Sequence, residues 1–222
     1  MSRFWVALCC FFLINGCARQ EVLLPVISAD GIEQVENHSS IWIFFEISGQ
    51  DTLAVLNKNN KLINTNWIFN IDRRLKMKQV IPHLEEMQRD RNKDSMHKKG
   101  GMKNYFSYAD TKNERISLVD FPQLSFIESE VPADSEMISN DSICLIPLWL
   151  KGDRIALGDS DFGKDRWNRI AEVLATCDST AQAHFQLHYS SNLTFEQYLA
   201  ARAGLVSLDL PLAGDEFVHT LK

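Results

Sequence analysis

Residues 41–47, Ile-Trp-Ile-Phe-Phe-Glu-Ile, are apolar on both alternating sets of positions and dense in β-branched and aromatic side chains, which predicts a buried strand. Turn chemistry at Ser48-Gly49-Gln50-Asp51 brings the chain back over residues 52–56 as a hairpin. A second turn over 57–61 leads to further β structure at 62–63 and 67–69. Met77, Val80, Ile81, Leu84 and Met87 then recur at three- and four-residue intervals. This spacing predicts a helix with one apolar face over 78–91, its start fixed by Pro82, which is tolerable only near a first turn. Residues 105–108 and 115–119 read as strands joined by a turn at 110–113. A stretch rich in acids, Ser and Pro over 128–141 reads as a linker.

The second half runs in a similar order. Residues 143–150 predict a strand that Pro147 places at an edge or a bulge, followed by a turn at Lys151-Gly152-Asp153 and a return over 154–157. Asp161 or Ser160 is the expected cap of a helix whose apolar positions are Trp167, Ile170, Ala171 and Leu174. Residues 183–189 alternate strictly, predicting a strand with one apolar face and one polar face bearing His184, Gln186 and His188. Thr194 followed by Gln197 is a capping box that starts the next helix. Gly204 predicts its end, 205–210 the last strand, and Pro211 the stop. The fold class expected is α+β, with two β-hairpin–α–β units and mixed sheets. A diverged duplication and a coincidence between two α+β units both give that order. The expected core is Trp42, Phe44, Val55, Leu84, Leu148, Ile155, Trp167, Ile170, Phe185, Leu187 and Leu208.

The N-terminus sets the expected address. Arg3 precedes an apolar run over 4–14 that is too short to span a bilayer as a finished helix, which predicts a cleaved signal over 1–16. Ile14-Asn15-Gly16-Cys17 resembles the lipobox of bacterial lipoproteins, whose cysteine is diacylated and becomes the mature N-terminus. The resemblance implies a palmitate-type anchor on Cys17 that holds the protein to a membrane without spanning it. Ala18 after the cysteine resembles the outer-membrane sorting pattern, which implies an outer-membrane lipoprotein facing the periplasm. The expected organisation is therefore a signal peptide at 1–16, a lipidated tether at 17–40, a first unit at 41–127, the linker at 128–141 and a second unit at 142–222.

Charge and cysteines narrow the picture. A formal charge of −6 without a basic stripe excludes a typical nucleic-acid binder. With Cys9 and Cys10 in the signal and Cys17 lipidated, Cys144 and Cys177 remain. An exported pair invites a disulfide. A helix of about fourteen residues, roughly 20 Å long, running away from Cys144 favours two buried free thiols instead.

Few residues offer chemistry. Arg89, Arg91, Lys93, Lys98, Lys99 and Lys103 surround Gly100-Gly101 as a possible binding loop for an anionic envelope polymer, and Asp90 and Asp94 dilute its charge toward a solvated face. Gly158-Asp159-Ser160 superficially resembles the nucleophile block of GDSL-type hydrolases, which makes a serine hydrolase using Ser160 and His219 an alternative. His184 and His188, four apart on a strand, are separated by about 13 Å, too far to share one metal. No residue pattern calls for a metal or a cofactor. Residues 143–210 are similar in pattern to the periplasmic domain of the ExbD/TolR biopolymer-transport family, through the hairpin at Lys151-Gly152-Asp153, a helix near 167–174, a strand ending at His188-Tyr189-Ser190, a helix at 195–203 and an exit at Gly204-Leu205. The family's transmembrane helix carries a proton-coupling aspartate; here the apolar segment contains no acid, so a proton-coupled role is not implied. What the resemblance does imply is a non-catalytic module that binds an envelope protein partner, accessory to a transport complex of that type.

Overall fold

The computed structural model describes residues 20–93, 101–122, 124–129, 138–139, 143–152, 154–157, 160–162, 182–207 and 210–220. Two mixed sheets and, among the described residues, two helices make an α+β fold. The expected helix at 167–174, the core positions Trp167, Ile170 and Leu208, and the lipobox lie outside the described residues.

The first sheet is built on a tight hairpin. Strand β2 (His38–Ser48) pairs antiparallel with β3 (Asp51–Asn57) through a two-residue loop in which Gly49 takes φ +64°, a conformation glycine adopts without penalty. β4 (Asn66–Ile71) lies parallel on the other side of β2, and helix α1 (Met77–Asn92) carries the chain over to β5 (Asn104–Asp110), parallel to β4. β6 (Arg115–Phe121) returns antiparallel to β5, and the two-residue β1 (Val26–Ile27) pairs with the C-terminal end of β5. The tether over 17–40 thus docks in part, with Ala109 N–H donating to Pro25 O at 2.8 Å and Thr111 N–H to Ile27 O at 3.0 Å. α1 buries Met77, Val80, Leu84 and Met87, the predicted apolar stripe, and includes Pro82 in its second turn.

One parity expectation holds for Phe44, which is buried, but not for its neighbour on the same face. Ile41 and Ile43 are fully buried, whereas Trp42 is only half-buried and stacks on Phe44 on the opposite face at 6.2 Å. When both faces of a strand are apolar, alternation cannot say which one meets the helix.

The second sheet repeats the order. β9 (Ile143–Lys151) and β10 (Arg154–Leu157) form a hairpin through Gly152 at φ +65°. β12 (Gln182–Ser190) lies parallel to β9, and helix α2 (Phe195–Ser207) crosses to β13 (Leu212–His219), parallel to β12. Additional strands are β11 (Ser160–Phe162) on β10, β8 (Ile138–Ser139) on β9 and β7 (Ser125–Ser129), parallel to β13. Pro147 falls in the gap between the β8 and β10 pairings, which explains its place in a central strand.

Four sequence expectations need correction here. The first-unit boundary expected at 127 cuts β7, a strand of the second sheet. Ser160 and Asp161 belong to β11 rather than to a helix cap. α2 runs through Gly204 to Ser207, because fully buried Leu205 outweighs the roughly 1 kcal/mol a mid-helix glycine costs, so Gly204-Leu205 is not an exit. The last strand lies after Pro211, hidden from pattern reading because its inward position 216 is a glutamate.

Cys144 is disulfide-bonded, against the expectation of a free thiol; its partner lies outside the described residues. The unforeseen β11 is the reason. It reverses the chain after β10, so β10 does not lead straight into the helix from which the expectation of free thiols was drawn.

The two units meet through matching turns. Met77 N–H donates to Leu193 O at 2.9 Å, and Phe195 N–H to Leu75 O at 2.7 Å. Lys78 N–H donates to Ser191 O at 2.9 Å, and Glu196 N–H to Arg73 O at 3.4 Å. Each bond therefore has a counterpart with the two turns exchanged, a local two-fold relation. One apolar cluster runs through both units: Phe106 of β5 packs edge-on against Phe195 at 5.4 Å and Tyr198 at 6.5 Å, both on α2.

Candidate interaction edges and buried polar clusters

The polar groups that could carry chemistry are mostly enclosed. Glu216, on the inward face of β13, accepts from Tyr189 Oη at 2.8 Å, Tyr198 Oη at 3.1 Å and Arg202 Nη1 at 2.7 Å. All four side chains are buried. Burial pushes the Glu216 carboxyl up, opposed by the Arg202 guanidinium; burial also pushes both phenols well up, so they remain donors. Asp72 is buried under an exposed guanidinium: Arg74 Nε and Nη2 each donate to it at 2.8 Å, joined by the Leu23 and Arg74 N–H groups, and Arg74 lies over Phe45 at 4.2 Å.

The polar face predicted for residues 183–189 is closed at its far end. β12 is an inner strand, and His188 lies directly between Trp149 of β9 and Phe217 of β13, with ring centroids 4.8 Å away on either side. His188 Nδ1 is 3.2 Å from His219 Nε2, and His188 Nε2 is 3.3 Å from Gln186 Oε1. Two neutral rings satisfy this arrangement, with His219 donating to His188 and His188 to Gln186. Burial, aided by the neighbouring His219, lowers His188 to about 4.

That shift predicts a pH window. Unfolded, the ring titrates near 6.5; above that value neither state is protonated and the contribution to stability is complete. As pH falls from 6.5 toward 4 the unfolded chain takes up a proton that the folded chain refuses, so stability drops, by about 3 kcal/mol across the window. Urea midpoints at about pH 7 and pH 5 should differ strongly for the wild type and little for His188→Gln. Equal differences in both would assign the pH dependence to other groups.

The hydrolase pairing is not made. β11 and β13 are separated by β10, β9 and β12, four strand spacings or roughly 19 Å, so the sheet order holds Ser160 away from His219. The basic residues of the 89–103 stretch are described only in part. Arg91 is spent on the fold: it donates to Ile63 O, Thr65 O and Asn104 Oδ1 and stacks 3.5 Å from the Trp67 ring, where burial lowers it to about 10. Lys93 pairs with Asp90 at 2.6 Å and Lys103 with Asp120 at 2.9 Å, while Arg89 reaches Glu85 only at 3.9 Å. Lys98, Lys99 and Cys17 lie outside the described residues. Among the described residues no cluster of His, Cys, Asp and Glu has metal-site geometry, and no helix is long and apolar enough to cross a membrane.

The sheet edges differ in a way the sequence did not announce. On β3, outward carbonyls are already used: Gln79 Nε2 donates to Thr52 O at 2.6 Å and His83 Nε2 lies 3.1 Å from Ala54 O, both side chains coming from α1. On β6, Leu118 exchanges two 2.8 Å backbone bonds with Ile32. Both edges are thereby blunted against further strand pairing. The outer edge of β7 has no strand partner among the described residues, and Ser125, Ile127 and Glu128 are exposed along it. Comparison with protein families, curated proteins and solved structures finds no match for this chain.

Proposed function

We propose that this chain is a non-catalytic lipoprotein of the bacterial cell envelope, anchored through Cys17 in the outer membrane and facing the periplasm. In this reading it is a protein-interaction module, accessory to an envelope transport complex of the ExbD/TolR type. The observation that carries the reading is the contrast between edges: β3 and β6 are blunted, whereas the outer side of β7, beside exposed Ile127, has no strand partner among the described residues, the kind of surface that strand addition by a partner uses. The disulfide at Cys144 fits an oxidising, exported location. The separation of Ser160 from His219 counts against the hydrolase alternative, and the internal use of Arg91 counts against the polymer-binding one. The repeated strand order and the exchanged bonds between the two turns favour a diverged duplication over coincidence.

In-cell crosslinking and pull-down from native membranes tests the reading, with Cys17→Ala as the unanchored control. Recovery of transport-complex proteins with the wild type, lost with Cys17→Ala, is the expected result. Wild-type membranes that yield no protein partner would sink it.

A further inference from the structure

One row of side chains crosses the second sheet in register and ends at its outer edge. Trp149 of β9 lies beside His188 of β12, His188 beside Phe217 of β13, and Phe217 beside Ile127 of β7. Directly paired residues share one face of the sheet. The row is tight in its middle, where ring centroids lie 4.8 Å away on either side of buried His188. It loosens toward β7: Phe217 is half-buried and Ile127 is 36 % exposed, with no strand beyond it among the described residues. The exposed charge at this end has one sign. Glu128 is exposed and has no ion-pair or hydrogen-bond partner among the described residues, and Asp215, paired with Ser125 of β7, is exposed as well. β7 and β13 carry no Lys or Arg, and their remaining acid, Glu216, is buried against Arg202.

We propose that the segment a partner adds to β7 is a basic β-strand, with an aromatic or β-branched side chain in register with Ile127 and a Lys or Arg in register with Glu128. The proposal rests on the strand-addition reading of β7 and deepens it by naming the chemistry of the partner. Both positions follow from cross-strand pairing. A strand laid one spacing, about 4.8 Å, beyond β7 puts one residue beside Ile127 on the same face. An aromatic or branched side chain there continues the row through Trp149, His188, Phe217 and Ile127 and covers the apolar surface left at its end. The next position of the added strand falls on the other face, beside Glu128, where an opposite charge stabilises and a like charge repels. An acidic segment would meet the Glu128 and Asp215 carboxylates unfavourably, and a basic one is attracted to both. Backbone bonds along the edge supply affinity for any extended chain, and these two positions supply the selection.

The test uses the purified full chain with a photo-crosslinking amino acid at Ile127 or, as control, at Thr52 on the blunted edge of β3. Two short labelled peptides are the probes. Thr-Val-Arg-Tyr-Arg-Val-Thr puts a cation on each side of the aromatic residue and so fits either strand direction; Thr-Val-Glu-Tyr-Glu-Val-Thr is its acidic twin. The expected result is several-fold greater capture of the basic peptide than of the acidic one at 127, with little capture of either at 52. Glu128→Gln combined with Asp215→Asn, both at exposed positions, should remove most of that preference. Equal capture of the two peptides at 127, or a preference unchanged in the double variant, would overturn the basic-segment proposal and leave strand addition at β7 standing. Capture of neither peptide at 127 above the level at 52 would overturn both. A preference as strong at 52 as at 127 would assign it to general attraction by a chain of net charge −6 and overturn the proposal. Crosslinks between two chains at 127 in place of peptide would identify a second copy as the occupant and overturn it as well.

Discussion

Arg202→Met should destabilise the protein by about 3–5 kcal/mol, because it leaves the Glu216 carboxylate buried without its cation. The wild-type pair is enclosed, with Arg202 2 % and Glu216 0 % exposed, and solvent cannot replace the lost partner. Arg202→Met combined with Glu216→Gln should recover most of the loss. No unpaired charge then remains, and the amide oxygen still accepts from one of the two tyrosine hydroxyls that converge on this site. Urea unfolding with unchanged slope measures both effects. Additive losses in the double variant would mean that packing rather than charge pairing governs the site.

Phe106→Ala should cost about 3–5 kcal/mol and should do so in a single transition. The ring stacks on Phe121 at 3.8 Å, meets Phe69 of β4, and contacts Phe195 and Tyr198 of α2, so its removal opens a cavity shared by both units. Coincident unfolding curves by tryptophan fluorescence and circular dichroism, both displaced by the variant, are expected. Two separable transitions, only one of them displaced, would show that the units unfold independently.

Much of the α+β architecture is legible in the sequence, and the failures have identifiable causes. The two hairpins were readable from Ser48-Gly49-Gln50-Asp51 and Lys151-Gly152-Asp153, because a two-residue loop needs glycine's left-handed conformation. The start of α2 was readable because Thr194 and Gln197 satisfy each other's backbone, as they do at 3.3 and 3.1 Å. β13 was not, since Glu216 occupies a core position and its partners Arg202, Tyr189 and Tyr198 are distant in sequence. β7 was hidden for a related reason: a five-residue strand pairing with the far end of the chain leaves little local signal. The candidate edge was illegible for the same cause, because whether an edge is open depends on side chains such as Gln79 and His83 arriving from another element.

The most direct test of partner docking on the outer edge of β7 compares it with the blunted edge of β3 in the same cells. A photo-crosslinking amino acid is placed at Ile127 on β7 or at Thr52 on β3, whose outward carbonyl is already occupied by Gln79. Capture of an envelope protein from position 127, and little from position 52, is the predicted result. Equal capture from both positions, or capture from 52 alone, would contradict the account.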